Sequence, residues 1–128
     1  MQTAERESLS QAESLLKLAQ RAAFVGMWTL DVETGALEWS DQLAAIHDAP
    51  PGFQPPRDDP FGFYAPEWRD KIVGLVDACA STGTPFDEEM QIVTLKGRRA
   101  WVRTLGHAVL DETGEVVRVE GAVQEIAP

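Results

Sequence analysis

The chain has 128 residues, 44% of them hydrophobic and 25% charged, a length and balance that suit one domain built on one core. Twenty-one Asp and Glu against eleven Lys and Arg give a formal net charge of −10, which argues against nucleic-acid and anionic-lipid partners and otherwise serves solubility. One cysteine excludes an internal disulfide and agrees with a reducing cytoplasm. No apolar run reaches the ~18 residues of a membrane span, and the first residues lack the apolar stretch of a secretory signal.

Residues 3–23 are expected to form a helix. Leu9, Ala12, Leu16, Ala19 and Ala23 recur at spacings of 3, 4, 3 and 4, a heptad seam, and Leu15, Leu18 and Ala22 form a second stripe beside it. An arc this wide can touch two surfaces, its own domain and a partner copy. Gly26 reads as the stop signal beyond this helix. Next, Trp28, Leu30 and Val32 alternate with Met27, Thr29 and Asp31, the pattern of a strand. "ETG" supplies a turn and "ALEWS" returns, which makes a hairpin with one tryptophan on each arm. Ser40 or Asp41 can cap a short helix, "DQLAAIH".

"DAPPGFQPPRDDP" holds five prolines in thirteen residues and is expected to be irregular, with a helical turn near Phe61 to Phe63. Pro66 opens a helix over 66–81, with Glu67 at the positive end of its dipole and Trp68, Ile72, Leu75, Val76 and Cys79 on one stripe. The rest reads as a three-strand antiparallel meander, "PFDEEMQIVTL", "RRAWVRTLGHAVL" and "EVVRVEGAVQEIA", turning at "KG" and "DETG". Its strands carry apolar residues on both faces, Trp101, Leu105 and Val109 against Val102, Ala108 and Leu110, so both faces are expected to be covered at least in part.

Candidate chemistry is sparse. His47 ends the short helix and His107 sits on a strand; with Cys79 they show no metal spacing, and no metal site is expected. Cys79 falls on an apolar stripe, where an inert buried thiol is the plain reading. Glu88 and Glu89 are strand neighbours and point to opposite faces, so they form no catalytic dyad. No catalytic residue is assigned. His47, Phe61, Phe63, Tyr64, Trp68, Met90 and Trp101 are left as candidates to line a pocket between sheet and helices, or simply to fill the core.

The order of elements and several motifs resemble a PAS domain of the subgroup with tryptophans in its first hairpin. "LAQRAAFVGMWTLDVETGALEWSDQLAAIHDAPPG" is similar to the family's opening, with Gly-x-Trp, an Asp, Thr-Gly and Trp-Ser before a short helix. "APEWRDKI" resembles its His-Pro-Glu-Asp-Arg helix start, with Ala65 for the His and Trp68 for the Asp. "GTPFDEEMQIVTLKGRRAWV" resembles its Glu-aromatic-Arg strand, although Met90 and Gln91 depart from it, and "LDETGEVVRVEGAVQEI" resembles the closing hairpin.

The resemblance implies an α+β fold, a five-stranded antiparallel sheet of order 2-1-5-4-3 with helices on one face and an added N-terminal helix. Residues 1–24 would be a flanking, dimer-forming helix and residues 25–128 the PAS domain. It implies a sensory module, not an enzyme, that precedes a histidine kinase or an enzyme that makes or breaks cyclic di-GMP. With the lone cysteine the module is expected in the cytoplasm, and from the seam and its second stripe it is expected to dimerise through Leu9, Ala12, Leu15, Leu16, Leu18, Ala19 and Ala23. The family's haem ligand sits on the long helix, where residues 66–81 have no His, and the flavin-binding Asn-Cys-Arg motif is absent, so neither cofactor is expected. A small ligand, or a protein partner on a ligand-free adaptor, remains open, as does a small cone-shaped isomerase that would need a carboxylate inside its cavity.

Overall fold

The computed structural model describes residues 24–126, together with residues 11, 14, 15 and 18 of the N-terminal stretch. Strands β1 (Val25–Asp31) and β2 (Leu37–Trp39) form the first hairpin. Helix α1 (Asp41–Ile46), an irregular connection and helix α2 (Pro66–Thr82) come next, and β3 (Phe86–Val93), β4 (Arg99–Leu110) and β5 (Val116–Glu125) close the chain. The five strands make one antiparallel sheet of order β2-β1-β5-β4-β3, as the resemblance implies.

Each boundary has a local cause. Gly35, at φ +74°, turns the first hairpin in a backbone conformation that residues with a Cβ avoid. The Ser40 hydroxyl accepts from the Leu43 N–H as the cap of α1 and from the Met27 N–H at 2.9 Å, which pins the helix to β1. Helix α1 ends on His47 in a Schellman turn: the Ala49 N–H reaches the Ala44 carbonyl, the Asp48 N–H reaches that of Ala45, and Asp48 takes the left-handed position at φ +59°. Pro66 starts α2 and Gly83, also left-handed, stops it.

Gly26 is not the helix stop that its position suggested. It lies inside β1, where a Cβ would fall 2.5 Å from the Leu43 Cα, so its role is close approach of α1; the left-handed residue before β1 is Phe24, at φ +53°. Strand β1 also ends one residue early, and Val32 belongs to the turn.

The connection between the helices runs back along the sheet's edge. Gln54 bridges to β2 by accepting from the Trp39 N–H and donating to the Trp39 carbonyl. Residues 63–65 then run beside β3, with Val93 N–H to Phe63 O at 2.7 Å and Ala65 N–H to Gln91 O at 2.9 Å.

Both helices cover one face of the sheet. On β4 the residues facing them, Ala100, Val102, Thr104 and Gly106, are buried, while Trp101, Arg103, Leu105 and His107 are half-buried or exposed. Across all five strands one row faces the helices: Trp39, Trp28, Gly121, Gly106 and Phe86, each opposite the next. The two glycines leave room for the rings on either side of them. A Cβ on Gly121 would fall 2.0 Å from the Trp28 ring, and one on Gly106 would fall 2.4 Å from that of Phe86.

On the opposite face the helix contact among the described residues is that of Trp68 with Trp101 at the β3 side, and the N-terminal helix expected to help cover this face lies largely outside the described residues. The face carries Met27, Ala122 and Leu105 side by side, flanked by Val25, Ile126 and Trp101, all half-buried. Leu110, past a bulge at the end of β4, is exposed. Of the N-terminal seam and its neighbours, Leu15 and Leu18 are helical and exposed; Leu9, Ala12, Leu16, Ala19 and Ala23 lie outside the described residues. Among the described residues no helix is long and apolar enough to cross a membrane.

Candidate sensory cavity and its family

Between α1, the first hairpin and the irregular connection lies a cavity of about 20 Å3, enough for one water. Of the sequence candidates, His47, Phe61, Phe63 and Tyr64 line it. Met90 does not: it is fully buried farther along the sheet, on β3. Trp68 and Trp101 do not either. Trp68 stands in the first turn of α2 beside the β3 edge, and the two indoles meet edge to face there, centroids 5.9 Å apart, with Lys71 over the Trp68 ring. The walls that sequence reasoning missed are mainly Trp28 and Trp39, one on each arm of the first hairpin, with Leu43 and Ile72 from the helices. The signal for them was the hairpin's own alternation, which puts Trp28 and Trp39 on the same face.

His47 is the most constrained polar group in this region. Its ring is stacked on Trp39, centroids 4.2 Å apart and planes 24° apart, and the Phe63 ring stands edge-on to it at 5.6 Å. Phe53 closes the box against Trp39 and Phe63. The residue is only 2% exposed. Its Nδ1 lies 2.9 Å from the Leu43 carbonyl, an atom that can only accept, so Nδ1 carries the proton and donates. Nε2 is then a bare acceptor, buried and without a partner among the described residues. Burial pulls the His47 pKa below its usual value, and the Leu43 carbonyl and the neighbouring Asp48 offset part of that shift.

Tyr64 adds a hydroxyl to the lining. Its hydroxyl lies 3.2 Å from the Thr104 Oγ1, and burial pushes its pKa up to about 12, so it stays neutral. No carboxylate lines the cavity. His107, by contrast, is an exposed residue facing Glu120 at 3.4 Å, and Cys79 is fully buried with its pKa raised by desolvation. Among the described residues no group of three His, Cys, Asp or Glu could hold a metal ion.

A cavity this size has no room for a porphyrin or an isoalloxazine unless the core opens. The purified protein is therefore expected to be colourless. A Soret band or a blue flavin band at stoichiometric occupancy would contradict this.

A five-stranded antiparallel sheet of this order, with helices and a small core cavity on one face, defines an α+β fold. The chain belongs to the PAS fold family, whose sequence profile matches residues 36–123. It is 26% identical over 106 residues to the Escherichia coli (strain K12) protein named "Probable diguanylate cyclase DgcE", an alignment that covers 83% of this chain and 10% of that protein. The chain thus spans a tenth of the length of that relative.

Many solved structures share the fold, two of them as follows. The N-terminal domain of a diguanylate cyclase with PAS/PAC sensor from Marinobacter aquaeolei superposes with a TM-score of 0.70 at 22% identity, covering 79% of this chain and 94% of that one. A sensory box histidine kinase/response regulator from Burkholderia thailandensis gives 0.67 at 22% identity, covering 87% and 83%.

Proposed function

We propose that this chain is the regulatory module of a cytoplasmic signalling protein. In this reading it works as a homodimer, and a small ligand or a protein partner biases the dimer between two packings that control an output enzyme. The output would be a histidine kinase or an enzyme of cyclic di-GMP synthesis or degradation, a reading supported by the names of the similar proteins. The module itself does no chemistry. A cone-shaped isomerase would need a carboxylate in the cavity, and the lining has none.

The observation that carries dimerisation is the apolar sheet face turned away from α1 and α2. Met27, Ala122 and Leu105 form a continuous apolar row across β1, β5 and β4, and Leu15 and Leu18 of the N-terminal stretch are exposed helical leucines. The dimer is taken to form when the helix bearing Leu9, Ala12, Leu15, Leu16, Leu18, Ala19 and Ala23 and this row meet a second copy. A helix of this length is marginal in water without such contacts.

Leu16→Asp or Leu105→Asp would place an unpaired charge in that interface, which is strongly unfavourable. Each variant, like a deletion of residues 1–22, is expected to sediment as a monomer at micromolar concentration with its sheet intact. Dimers in all three would sink the reading.

The well-filled core favours a second reading on the input side, a ligand-free adaptor whose signal is a bound protein. Native mass spectrometry separates the two: a retained small molecule supports the ligand, its absence the adaptor.

A further inference from the structure

The surroundings of His47 place an uncommon demand on one atom. The ring is fixed at three points: its face lies on Trp39, its edge meets Phe63, and Nδ1–H donates to the Leu43 carbonyl. Nothing in that arrangement pairs with Nε2, yet Nε2 is buried. A neutral imidazole tolerates this, because a lone pair facing aromatic carbon loses one hydrogen bond. An imidazolium does not, because Nε2–H would be a charged donor with no acceptor in an apolar box. The cavity beside it has room for one water, and a proton needs no more room than that.

The same residue ends α1, and the backbone from His47 to Asp48 is tied to the far end of the sheet. The His47 carbonyl accepts from the Leu95 N–H at 2.9 Å, at the turn between β3 and β4. Asp48, left-handed and half-buried, takes hydrogen bonds from the Thr94 side chain and from Arg98 of that turn. Arg98 also holds Glu125, the last residue of β5, at 3.0 Å. One chain of contacts therefore runs from the ring to the place where the polypeptide leaves the sheet.

We infer that His47 is a proton-binding site, and that its protonated ring leaves the aromatic box and loosens the Asp48–Arg98–Glu125 chain at the end of β5. The step is simple: the Nε2 lone pair takes a proton from solvent, the ring becomes a cation, and its stack on Trp39 is exchanged for water. The charges around the ring are few. Asp48 is the charged group that acts on it. Lys96 and Arg98, from the β3–β4 turn, act on Asp48. β2 presents Trp39, and the connection presents Phe53, Phe63 and the neutral Tyr64.

The direction is set by burial. The folded protein favours the neutral ring, so the stabilisation it confers is present above the ordinary value of 6.5 and is lost as the pH falls below it. The carboxylates of Asp48, Glu67, Asp87 and Asp111 are held below their usual range, so they titrate in a lower window. As the signal source for the proposed regulatory module, the proton rests on that reading. The proton site itself does not, and its test is independent of dimerisation.

The test is a pH titration of the full chain by NMR between about pH 8 and about pH 5. The ordinary imidazole value of 6.5 serves as the reference. The expected result is a His47 ring in the Nδ1–H form at neutral pH, with a midpoint below the ordinary 6.5, and amide shifts at Glu125 and Ile126 that track the His47 midpoint. Asp48→Asn, which a left-handed position tolerates, should leave His47 titrating, at a lower midpoint because the Asp48 charge no longer favours the cation, and remove the shifts at Glu125 and Ile126. His47→Phe should remove both, and if that variant does not fold, the wild-type and Asp48→Asn titrations decide alone. A His47 ring that titrates at or above the ordinary 6.5, or that stays neutral throughout, overturns the inference. So do shifts at the end of β5 that persist unchanged in Asp48→Asn.

Discussion

Trp28→Ala should destabilise the protein by about 3–5 kcal/mol, the range for removing a large buried ring from a packed core. Trp28 is 5% exposed. Its indole lies beside Trp39 on one side, spreads over Gly121, and faces the Phe86 ring across the two glycines, centroids 6.3 Å apart with planes nearly parallel. It also walls the His47 cavity, so the void left by alanine would merge with space already there instead of collapsing. Urea unfolding at neutral pH measures the loss. A change below about 1 kcal/mol would mean that the ring is not part of the core.

Gly121→Ala should be nearly as damaging, although it adds a single methyl group. The new Cβ would sit 2.0 Å from Trp28 Cε2, 2.1 Å from Trp28 Cζ2 and 2.4 Å from the Leu105 carbonyl oxygen. The last of these is backbone in the centre of the sheet and cannot turn aside, so the expected cost lies at or above the upper end of ordinary overpacking, about 3 kcal/mol. Gly106→Ala is the internal comparison. There the obstacle is the far edge of the Phe86 side chain, which can give way, and the cost should be smaller. In the double variant Trp28→Ala/Gly121→Ala the methyl meets the carbonyl but no ring, so the two losses should add to clearly less than their sum. Strict additivity would show that the ring does not lie over the glycine.

Most of the fold could be read from the chain because its signals are local. The alternation of Trp28 and Leu30, the turn glycines 35, 97 and 114, Pro66 at the start of α2 and the stripe of Ile72, Val76 and Cys79 each announce an element within a few residues. The row of five residues across the sheet could not be read this way. Whether Gly121 sits opposite Trp28 depends on the register between β1 and β5, which are far apart in sequence.

The same nonlocality sorted the cavity candidates. His47, Phe61, Phe63 and Tyr64 meet because the proline-rich connection folds back over α1, whereas Trp101 falls on the other face of its strand and Met90 too far along its own. A helix-end position near the C-terminal carbonyls was legible for His47, and the Leu43 carbonyl is there. The unpaired nitrogen was not, because it is defined by aromatic neighbours contributed by β2 and the connection. Gly26 misled for a related reason: a glycine after a helical pattern suggests a stop, and only the approach of Leu43 shows why a Cβ is excluded.

The paired glycines have a mechanical side. At Gly106 and Gly121 the two central strands have no side chain toward the helices, and there the sheet is a single peptide layer thick. Elsewhere a shift inside the core is absorbed by rotamers before it reaches the main chain. Here the Trp28 ring rests on the main chain itself, and the next residues along, Leu105 and Ala122, already belong to the opposite face. A push on that ring has no soft element in which to dissipate and must be taken up as twist between β4 and β5. The thinnest point of the sheet is thus also the stiffest connection between its two sides.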